Sequence, residues 1–225
     1  MIERDYIMRM IQLLVQALLR ILFLKKGEQY PEALNEIQKA SKKLVGVELD
    51  VLRRLPDTQI IDLLSVDASL GIPKCYAAAI LMKEEAEILE LQKKTADSID
   101  SYVKSLSLLT ETAIHHNASF DSDHAAAIDL VTGKLNGVEL PVHIHKKLFR
   151  YYEIARRYAR AEDMVFEIIE KEPSFVEEGI RFYARLKSKR DGELTEGDLS
   201  RKEIEDGLKE LQRLEQRRPG KVSRT

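Results

Sequence analysis

All five histidines of the chain fall between residues 115 and 145, and two aspartates lie between the second and the third of them. Imidazole and carboxylate groups are the side chains that bind zinc, nickel or iron. Helix ends expected near residues 116, 122 and 143 would bring them to one end of a helical bundle. The candidate ligands are His115, His116, His124, His143 and His145, with Asp121 and Asp123 among them. One hypothesis is therefore a metal-dependent hydrolase or a metal sensor.

The spacing of these histidines argues against a metal site. The chain has no His-Glu-x-x-His motif, which places two ligands on one face of a helix. His143 and His145 point to different sides of a helix, and they make a good chelate only if the segment is extended. We therefore favour the interpretation that the five residues are surface and helix-capping histidines. No cofactor is predicted.

Other catalytic arrangements have less support. The chain lacks the Gly-x-Ser-x-Gly elbow of many hydrolases. Gly133 and Gly137 flank Lys134 without the spacing or the Ser/Thr of a phosphate-binding loop. The acidic run at 84–87 is predicted to be the solvated face of a helix, since the Glu-x-x-His pairs of a di-metal bundle are absent. The sequence therefore predicts a protein without enzymatic activity.

Aromatic and basic residues concentrate between residues 150 and 186. The tyrosines are Tyr151, Tyr152, Tyr158 and Tyr183, and the arginines are Arg156, Arg157, Arg160, Arg181 and Arg185. A groove that binds an acidic or extended peptide has such a composition. An aromatic core beneath a solvated arginine face has it too, and we favour that interpretation. If the groove exists, the partner-binding residues are Tyr152, Arg156, Tyr183 and Arg185.

The most apolar element of the scaffold is the stretch 10–24. The polar residues in and before it follow one another at helical steps and form a single stripe: Asp5, Arg9, Gln12, Gln16 and Arg20. A helix with so narrow a polar stripe must be enclosed by other helices, by a second subunit or by a lipid interface. We predict a buried N-terminal helix, with a homodimer through this helix and peripheral membrane association as alternatives.

This first helix is not predicted to be a membrane span or a secretory signal. Arg9, Gln12, Gln16 and Arg20 divide the apolar run into shorter pieces than a span requires. Glu3 stands where a signal peptide has basic residues, and no small-residue cleavage site follows the apolar run. We expect no transmembrane span.

The composition favours a helical cytoplasmic protein. The net charge of −2 gives no reason to expect nucleic acid as a partner. The single cysteine, Cys75, excludes an internal disulfide and fits a reducing compartment. Apolar residues recur at helical spacing and no strand-like alternation appears, so we predict an all-α fold. Residues 1–188 are predicted to form the helical domain, and residues 189–225 a linker, an amphipathic C-terminal helix and a disordered basic tail.

The predicted helices are joined by short turns. After the first helix, which ends before Gly27, they cover residues 30–44, 49–55, 57–65, 74–94, 95–116, 122–135, 141–158, 161–171, 174–186 and 200–217. Residues 67–73 are predicted to be a loop because of their Gly and Pro. Ser174 with Glu177 and Ser200 with Glu203 are predicted capping boxes.

Three segments share a helix–turn–helix layout. In the third, Leu148, Tyr152, Ala161 and Pro173 stand where tetratricopeptide repeats (TPRs) have Leu, Tyr, Ala and a closing Pro. In the second, Ala86, Leu89, Tyr102 and Leu106 match, with Ser98 at the Ala position; in the first, Gly27, Tyr30, Ala33, Ile37 and Ala40 resemble the turn and second helix. The chain thus resembles a divergent TPR array whose segments are not spaced at 34 residues. Residues 1–11 also resemble the start of an uncharacterised bacterial family with no known activity.

The TPR resemblance implies antiparallel hairpins stacked as an array, with a concave face that binds a protein or peptide. We therefore predict a non-enzymatic, cytoplasmic protein–protein interaction scaffold. The C-terminal helix either caps the array or docks on another chain, and we favour capping because solenoid ends need a polar cover.

Overall fold

The computed structural model of the chain describes residues 2–64, 71–115 and 122–217, with side chains from residue 5 onward. Within these ranges the regular secondary structure is twelve α-helices and one 3₁₀ helix, without a strand. The all-α prediction is therefore confirmed. The helices form two compact units, residues 1–139 (unit 1) and residues 140–225 (unit 2).

Unit 1 is built around two antiparallel helical hairpins. Its helices are α1 (Ile2–Lys26), α2 (Tyr30–Leu44), α3 (Leu49–Arg54), α4 (Asp57–Leu64), α5 (Gly71–Leu91), α6 (Thr95–His115) and α7 (Ser122–Lys134). The hairpins are α1–α2 and α5–α6, and α2 of the first packs on α5 of the second. Helices α3 and α4 also pack on α5, and α7 packs on α6. Helix α5 is therefore the central element, and Ala77, Leu81 and Ile88 on it are fully buried.

Unit 2 has an aromatic core. Its helices are α8 (Val142–Ile154), α9 (Tyr158–Lys171), a 3₁₀ turn (Pro173–Phe175), α10 (Val176–Lys187), α11 (Asp191–Glu196) and α12 (Arg201–Arg217). Phe149 lies edge-on to Phe175 and to Phe182, with ring centroids 5.5 and 5.4 Å apart. The C-terminal helix α12 packs back on α10 of its own unit. Large rings fill the interior of a unit whose helices are short.

The three hairpins α1–α2, α5–α6 and α8–α9 share one turn. In each, one non-glycine residue takes a left-handed conformation, namely Glu28 (φ 55°), Lys93 (φ 61°) and Arg156 (φ 58°). The N–H of the next residue donates to the carbonyl five residues earlier, at 2.9, 2.9 and 2.8 Å. A small buried residue follows four positions later in each second helix: Ala33, Ser98 and Ala161. The hairpins and their small residues are as predicted, but the turn does not establish how a repeat array would stack, so a TPR-like arrangement is not confirmed.

Several element boundaries differ from the prediction. Helix α5 starts at Gly71, because Pro73 is tolerated in a first turn. The predicted helix 141–158 breaks at residues 155–157, where Arg156 has a positive φ, and Tyr158 begins α9. The predicted linker contains α11, whose Leu194 is buried. The predicted domain boundary at residue 188 lies inside unit 2, just before α11, and stays a prediction.

One of the two predicted capping boxes is confirmed. The backbone N–H of Ser200 donates to Glu203 at 2.7 Å, and the N–H of Glu203 donates to the Ser200 hydroxyl at 3.2 Å. The box at Ser174 is wrong: this residue lies in the 3₁₀ turn, and its hydroxyl donates to Glu172. Pro173 sets that turn, since its ring fixes φ and removes a donor.

Candidate interaction surfaces

Helix α1 presents three stripes along its length. The first is covered by its neighbours α2 and α5 and includes the buried residues Met10, Leu14 and Ile21. The second is the polar stripe predicted from the sequence, and all five of its residues are exposed. The third consists of exposed apolar residues: Met8 (51% exposed), Ile11 (49%), Val15 (48%), Leu19 (63%) and Leu22 (40%). At about 100° per residue these five fall within a sector of about 80°. We call this third stripe the uncovered stripe.

The structure does not show α1 as the buried helix that we expected. One side of it is covered, as Ile21 with no exposed surface illustrates. Among the described side chains, however, eleven large apolar residues are exposed and seven of them lie on α1. The other two of these seven, Tyr6 and Phe23, lie outside the uncovered stripe. The sequence correctly indicated an apolar helix with a narrow polar stripe, but periodicity alone cannot tell which apolar side a neighbour covers.

The same helix is long and apolar enough to cross a membrane. The segment Asp5–Lys26 has a window of mean hydropathy 1.8, of which 17% is buried. Core helices of soluble proteins and signal sequences near an N-terminus have the same length and composition. The length and hydropathy of α1 are therefore equally typical of a helix that packs on protein, a helix that contacts lipid and a signal sequence.

The C-terminal end of α1 is fixed to α5 by charged side chains. The Lys25 ammonium lies 2.7 Å from Glu84 and 2.5 Å from Glu87, and Lys83 contacts both carboxylates from α5 itself. Burial alone would lower the pKa of Lys25, but the hydrogen bonds to both glutamates outweigh it and hold the pKa above its usual value. Burial would likewise raise the pKa of Glu87, yet the two lysines lower it. Four partly buried charges thus tie α1 to the centre of unit 1.

The prediction that residues 84–87 form a solvated acidic face is wrong. Glu84 and Glu85 are 9% and 3% exposed. Glu85 accepts a hydrogen bond from the Ser101 hydroxyl at 3.0 Å, and Arg53 lies 3.7 Å away. Burial raises the pKa of Glu85, against the opposing effect of Arg53 and Ser101. Serines 98, 101 and 105 recur on one side of α6 and are buried. This line of small polar residues was the sequence signal that the α5–α6 hairpin buries polar groups.

The histidines of unit 1 make local contacts. His115 is exposed at the end of α6 and lies 3.1 Å from Glu111, one turn earlier. His124 on α7 lies 2.9 Å from the carbonyl oxygen of Leu109 and 3.1 Å from the Thr112 hydroxyl, and its ring is tilted against Tyr76. These contacts fit capping and packing roles. His116 and Asp121 lie outside the described residues.

The histidines of unit 2 lie on α8 and differ in burial. His143 is exposed, whereas His145 is 3% exposed with Nε2 2.8 Å from Glu167 on α9. The Nδ1 atom of His145 has no hydrogen-bond partner in the described part of the chain. No three His, Cys, Asp or Glu side chains of the described ranges come together as metal ligands. The metal hypothesis stays a prediction, and the described residues give it no support.

The predicted partner-binding residues separate into a buried and an accessible pair. Tyr152 and Tyr183 are 2% and 0% exposed, so they belong to the core of unit 2. The Tyr183 hydroxyl donates to Glu162 at 2.5 Å, and burial together with this bond raises the pKa of Tyr183. Arg156 and Arg185 are exposed. The aromatic-core interpretation therefore describes the tyrosines, and only the arginines are accessible to a partner.

A pocket of about 390 Å³ adjoins these arginines. Its lining consists of Glu153, Ile154, Arg156, Tyr158, Arg185, Leu186, Ser188 and Lys189. Arg185 is already held by Glu153 through two hydrogen bonds of 2.6 and 2.9 Å, and by Glu178 at 3.1 Å. Glu153 neutralises Arg185 inside the pocket. The remaining positive charge of the pocket therefore comes from Arg156 and Lys189.

The chain belongs to a family of unknown function, DUF6483, whose model matches residues 1–216. The match covers both units, including α1 and α12. Comparison with curated proteins and with solved structures gives no match. The family relationship therefore assigns no activity to the chain.

Proposed function

We propose that this chain is a non-enzymatic protein–protein interaction scaffold of the cytoplasm, and that the uncovered stripe of α1 is its principal interaction surface. The observation that carries this proposal is the alignment of five half-exposed apolar side chains, Met8 to Leu22, on one side of a helix. Single exposed apolar residues are common on soluble proteins. A continuous apolar row is different, because its exposure to water costs free energy that a partner would recover.

The position of the stripe supports an interaction role. Helix α1 is packed on α2 and α5 through its opposite side, and Lys25 fixes its end to two partly buried glutamates. A surface that is held rigid before binding loses little conformational entropy when a partner docks. The stripe therefore has the two properties that a docking helix needs: apolar area and a fixed orientation.

We also infer a TPR-like relationship among the hairpins. Its support is the shared turn and the small buried residues Ala33, Ser98 and Ala161 at corresponding positions. Small residues at such positions let the two helices of a hairpin approach closely. A solved structure of the chain would test this inference through the angle between α2 and α5, which must match that between adjacent repeats.

A second contact with a protein partner is proposed at Arg156 and Arg185, beside the pocket of unit 2. The exposed guanidinium of Arg156 suits an acidic segment of a partner. Arg185 would join it by exchanging Glu153 or Glu178 for a carboxylate of the partner. Replacing Arg156 with Ala would then weaken partner recovery, whereas Arg181→Ala, which removes an exposed arginine outside the pocket lining, would not.

Peripheral membrane association is the second candidate function. It is favoured by the apolar composition of Asp5–Lys26, of which only 17% is buried. An interfacial helix places one apolar face in the lipid boundary while its polar face stays wet. Flotation of the purified chain with vesicles of neutral and of anionic lipid measures this directly. Recovery of the chain with vesicles, lost in Val15→Lys, would support a lipid role.

The main proposal is tested by comparing two single variants of the full chain in its native cells. Val15→Lys places a charge in the uncovered stripe, and Gln16→Lys places the same charge on the neighbouring polar stripe. Proteins that copurify with the wild-type chain, including a second, differently tagged copy of it, are quantified by mass spectrometry. We expect recovery to fall at least tenfold for Val15→Lys and to remain for Gln16→Lys. Equal recovery with both variants would contradict the proposal.

A further inference from the structure

The residues of the uncovered stripe follow one another at the same sequence of steps whether they are counted from the N-terminal or the C-terminal end of α1. From Met8 to Leu22 the steps are three, four, four and three residues, so the stripe is symmetric about Val15. A surface that pairs with itself through a two-fold axis is self-complementary, because every contact between residue i of one copy and residue j of the other occurs a second time with the two copies exchanged. A stripe built for an unrelated partner has no need of this symmetry.

We propose that two copies of this chain pair through α1 as an antiparallel homodimer with its two-fold axis at Val15. The proposal rests on the interaction function proposed above and names the partner of the same surface. In this pairing Met8 lies opposite Leu22 of the second copy, and Ile11 lies opposite its Leu19. The two Val15 side chains meet at the axis. Side chains of similar volume thus face one another along the whole stripe.

The width of the stripe fits a helix better than it fits a lipid surface. The five residues of the stripe follow one another at steps of three and four and span about 80° of the helix circumference, which is close to the width of a coiled-coil seam. Such a seam is narrower than the apolar face that a helix presents to a lipid or to a large core. A second α1 supplies a matching seam without any further sequence requirement.

The charges of α1 favour the antiparallel over the parallel arrangement. The uncovered stripe itself contains no charged residue, so identical copies meet there without repulsion. Asp5 and Lys26 are exposed at opposite ends of the helix, and neither makes an ion pair with any side chain that the structure describes. Antiparallel pairing about Val15 brings Asp5 of one copy level with Lys25 of the other and within one residue of its Lys26. Parallel pairing would place like charges together at both ends, which is unfavourable.

The area of the stripe sets the expected strength of the dimer. At roughly 100 Å² for a fully exposed aliphatic side chain, the stripe and the adjoining Phe23 offer on the order of 300–400 Å² per copy. Stable interfaces bury about 800 Å² per partner, so α1 alone predicts a weak, concentration-dependent dimer. A covalent trap is therefore the most sensitive test.

Cysteine cross-linking distinguishes the two arrangements. The variants are made in a Cys75→Ala background, because the buried Cys75 is the only natural thiol. Val15→Cys at the axis is expected to form a disulfide-linked dimer under mild oxidation. Met8→Cys and Leu22→Cys, carrying tags of different size, are expected to cross-link with each other at least tenfold more than with themselves. Strong self-linking of Met8→Cys would show a parallel pair and overturn the proposed arrangement.

A control residue on the same helix separates true pairing from random collision. Gln16→Cys lies on the polar stripe and is expected to form little disulfide-linked dimer at equal concentration. If Val15→Cys links no faster than Gln16→Cys, self-association through α1 is excluded. The interaction function would then still stand if Val15→Lys abolishes recovery of another protein. If Val15→Lys changes the recovery of no protein at all, both the homodimer and the proposed interaction function are contradicted.

Discussion

The first and last helices of the described chain, α1 and α12, differ in how much of their apolar surface is buried. On α12 the apolar stripe is packed on α10: Ile204 and Leu211 are buried, and the remaining surface is mostly charged. On α1 one apolar stripe is packed and another is left uncovered. None of the exposed large apolar residues among the described side chains belongs to α12, or to unit 2 as a whole.

The burial of α12 shows that a terminal helix of this chain can pack without leaving a row of apolar residues exposed. Helix α12 ends the described chain with a polar outer surface, as a terminal helix needs for solubility. Helix α1 has its own polar stripe, so polar residues at Met8, Val15 and Leu22 would be compatible with its packing on α2 and α5. The partner proposed above would account for an apolar row at those positions.

The difference between α1 and α12 is tested most strongly by replacing one leucine on each helix with alanine. Leu211→Ala on α12 is expected to lower the free energy of unfolding by about 2–5 kcal/mol, because it leaves a cavity at a fully buried site. Leu19→Ala on α1 is expected to change it by less than about 0.5 kcal/mol, because the side chain is 63% exposed. Denaturant unfolding at low micromolar concentration measures both. A loss above 2 kcal/mol for Leu19→Ala would mean that α1 is covered within the single chain.

A glycine on α12 tests how tightly that helix is packed. A Cβ at Gly207 would overlap the ring and hydroxyl of Tyr183, so Gly207→Ala is expected to cost about 1–3 kcal/mol. Gly192→Ala on α11 is the matched control, since nothing lies within 4 Å of its Cβ position. The control should be neutral or slightly stabilising. Thermal unfolding that ranks the two variants equally would contradict the close contact between α10 and α12.

The anchor of α1 is tested by Lys25→Met. Removing the ammonium leaves Glu84 and Glu87 with Lys83 alone, and we expect a loss of about 1–3 kcal/mol at neutral pH. Lys26→Met, at the neighbouring exposed position, should change stability by less than about 0.5 kcal/mol. Urea unfolding of both variants beside the wild type measures the difference. Equal stability of the two variants would show that Lys25 does not hold α1 to α5.

The same anchor predicts a pH window. The pKa of Glu87 is lowered in the folded state, so its contribution is present above its unfolded value near 4.5 and is lost as the pH falls through the folded value. The pKa of Lys25 is raised, so its contribution is present below 10.5 and is lost as the pH rises through the folded value. The stability difference between wild type and Lys25→Met should therefore be largest between about pH 5 and 10. A difference that is constant from pH 3 to 11 would contradict the ion-pair account.

Local signals in the sequence predicted much of the fold. Helical periodicity located α1, α2 and α6 closely, and Ser200 with Glu203 correctly marked the start of α12. The split between α8 and α9 was predicted three to four residues too late, because Arg156 takes a left-handed conformation that favours glycine and an arginine gives no sequence signal for it. The short helix α11 was missed because only Leu194 of its six residues is buried.

The candidate site was harder to predict, because burial depends on tertiary packing. The apolar residues of α1 were recognised, but Ile21 and Leu22 differ in exposure only because α2 and α5 cover one side. Glu85 was expected in water but is buried. Its partners Ser101 and Arg53 lie on other helices, so the tertiary fold is needed to bring them to Glu85. Tyr183 was proposed for binding and lies in the core, where Glu162 satisfies its hydroxyl.

The central claim, that the uncovered stripe binds a protein and first of all a second copy, is tested most directly by sedimentation equilibrium of the full chain. Between about 5 and 300 µM the wild type is predicted to move from the monomer mass of 25.8 kDa towards twice that mass. Val15→Lys is predicted to raise the dissociation constant by on the order of 100-fold, since two lysines would meet at the axis. Gln16→Lys should associate as the wild type does. A wild-type chain that stays at 25.8 kDa throughout would contradict the claim that α1 pairs with itself.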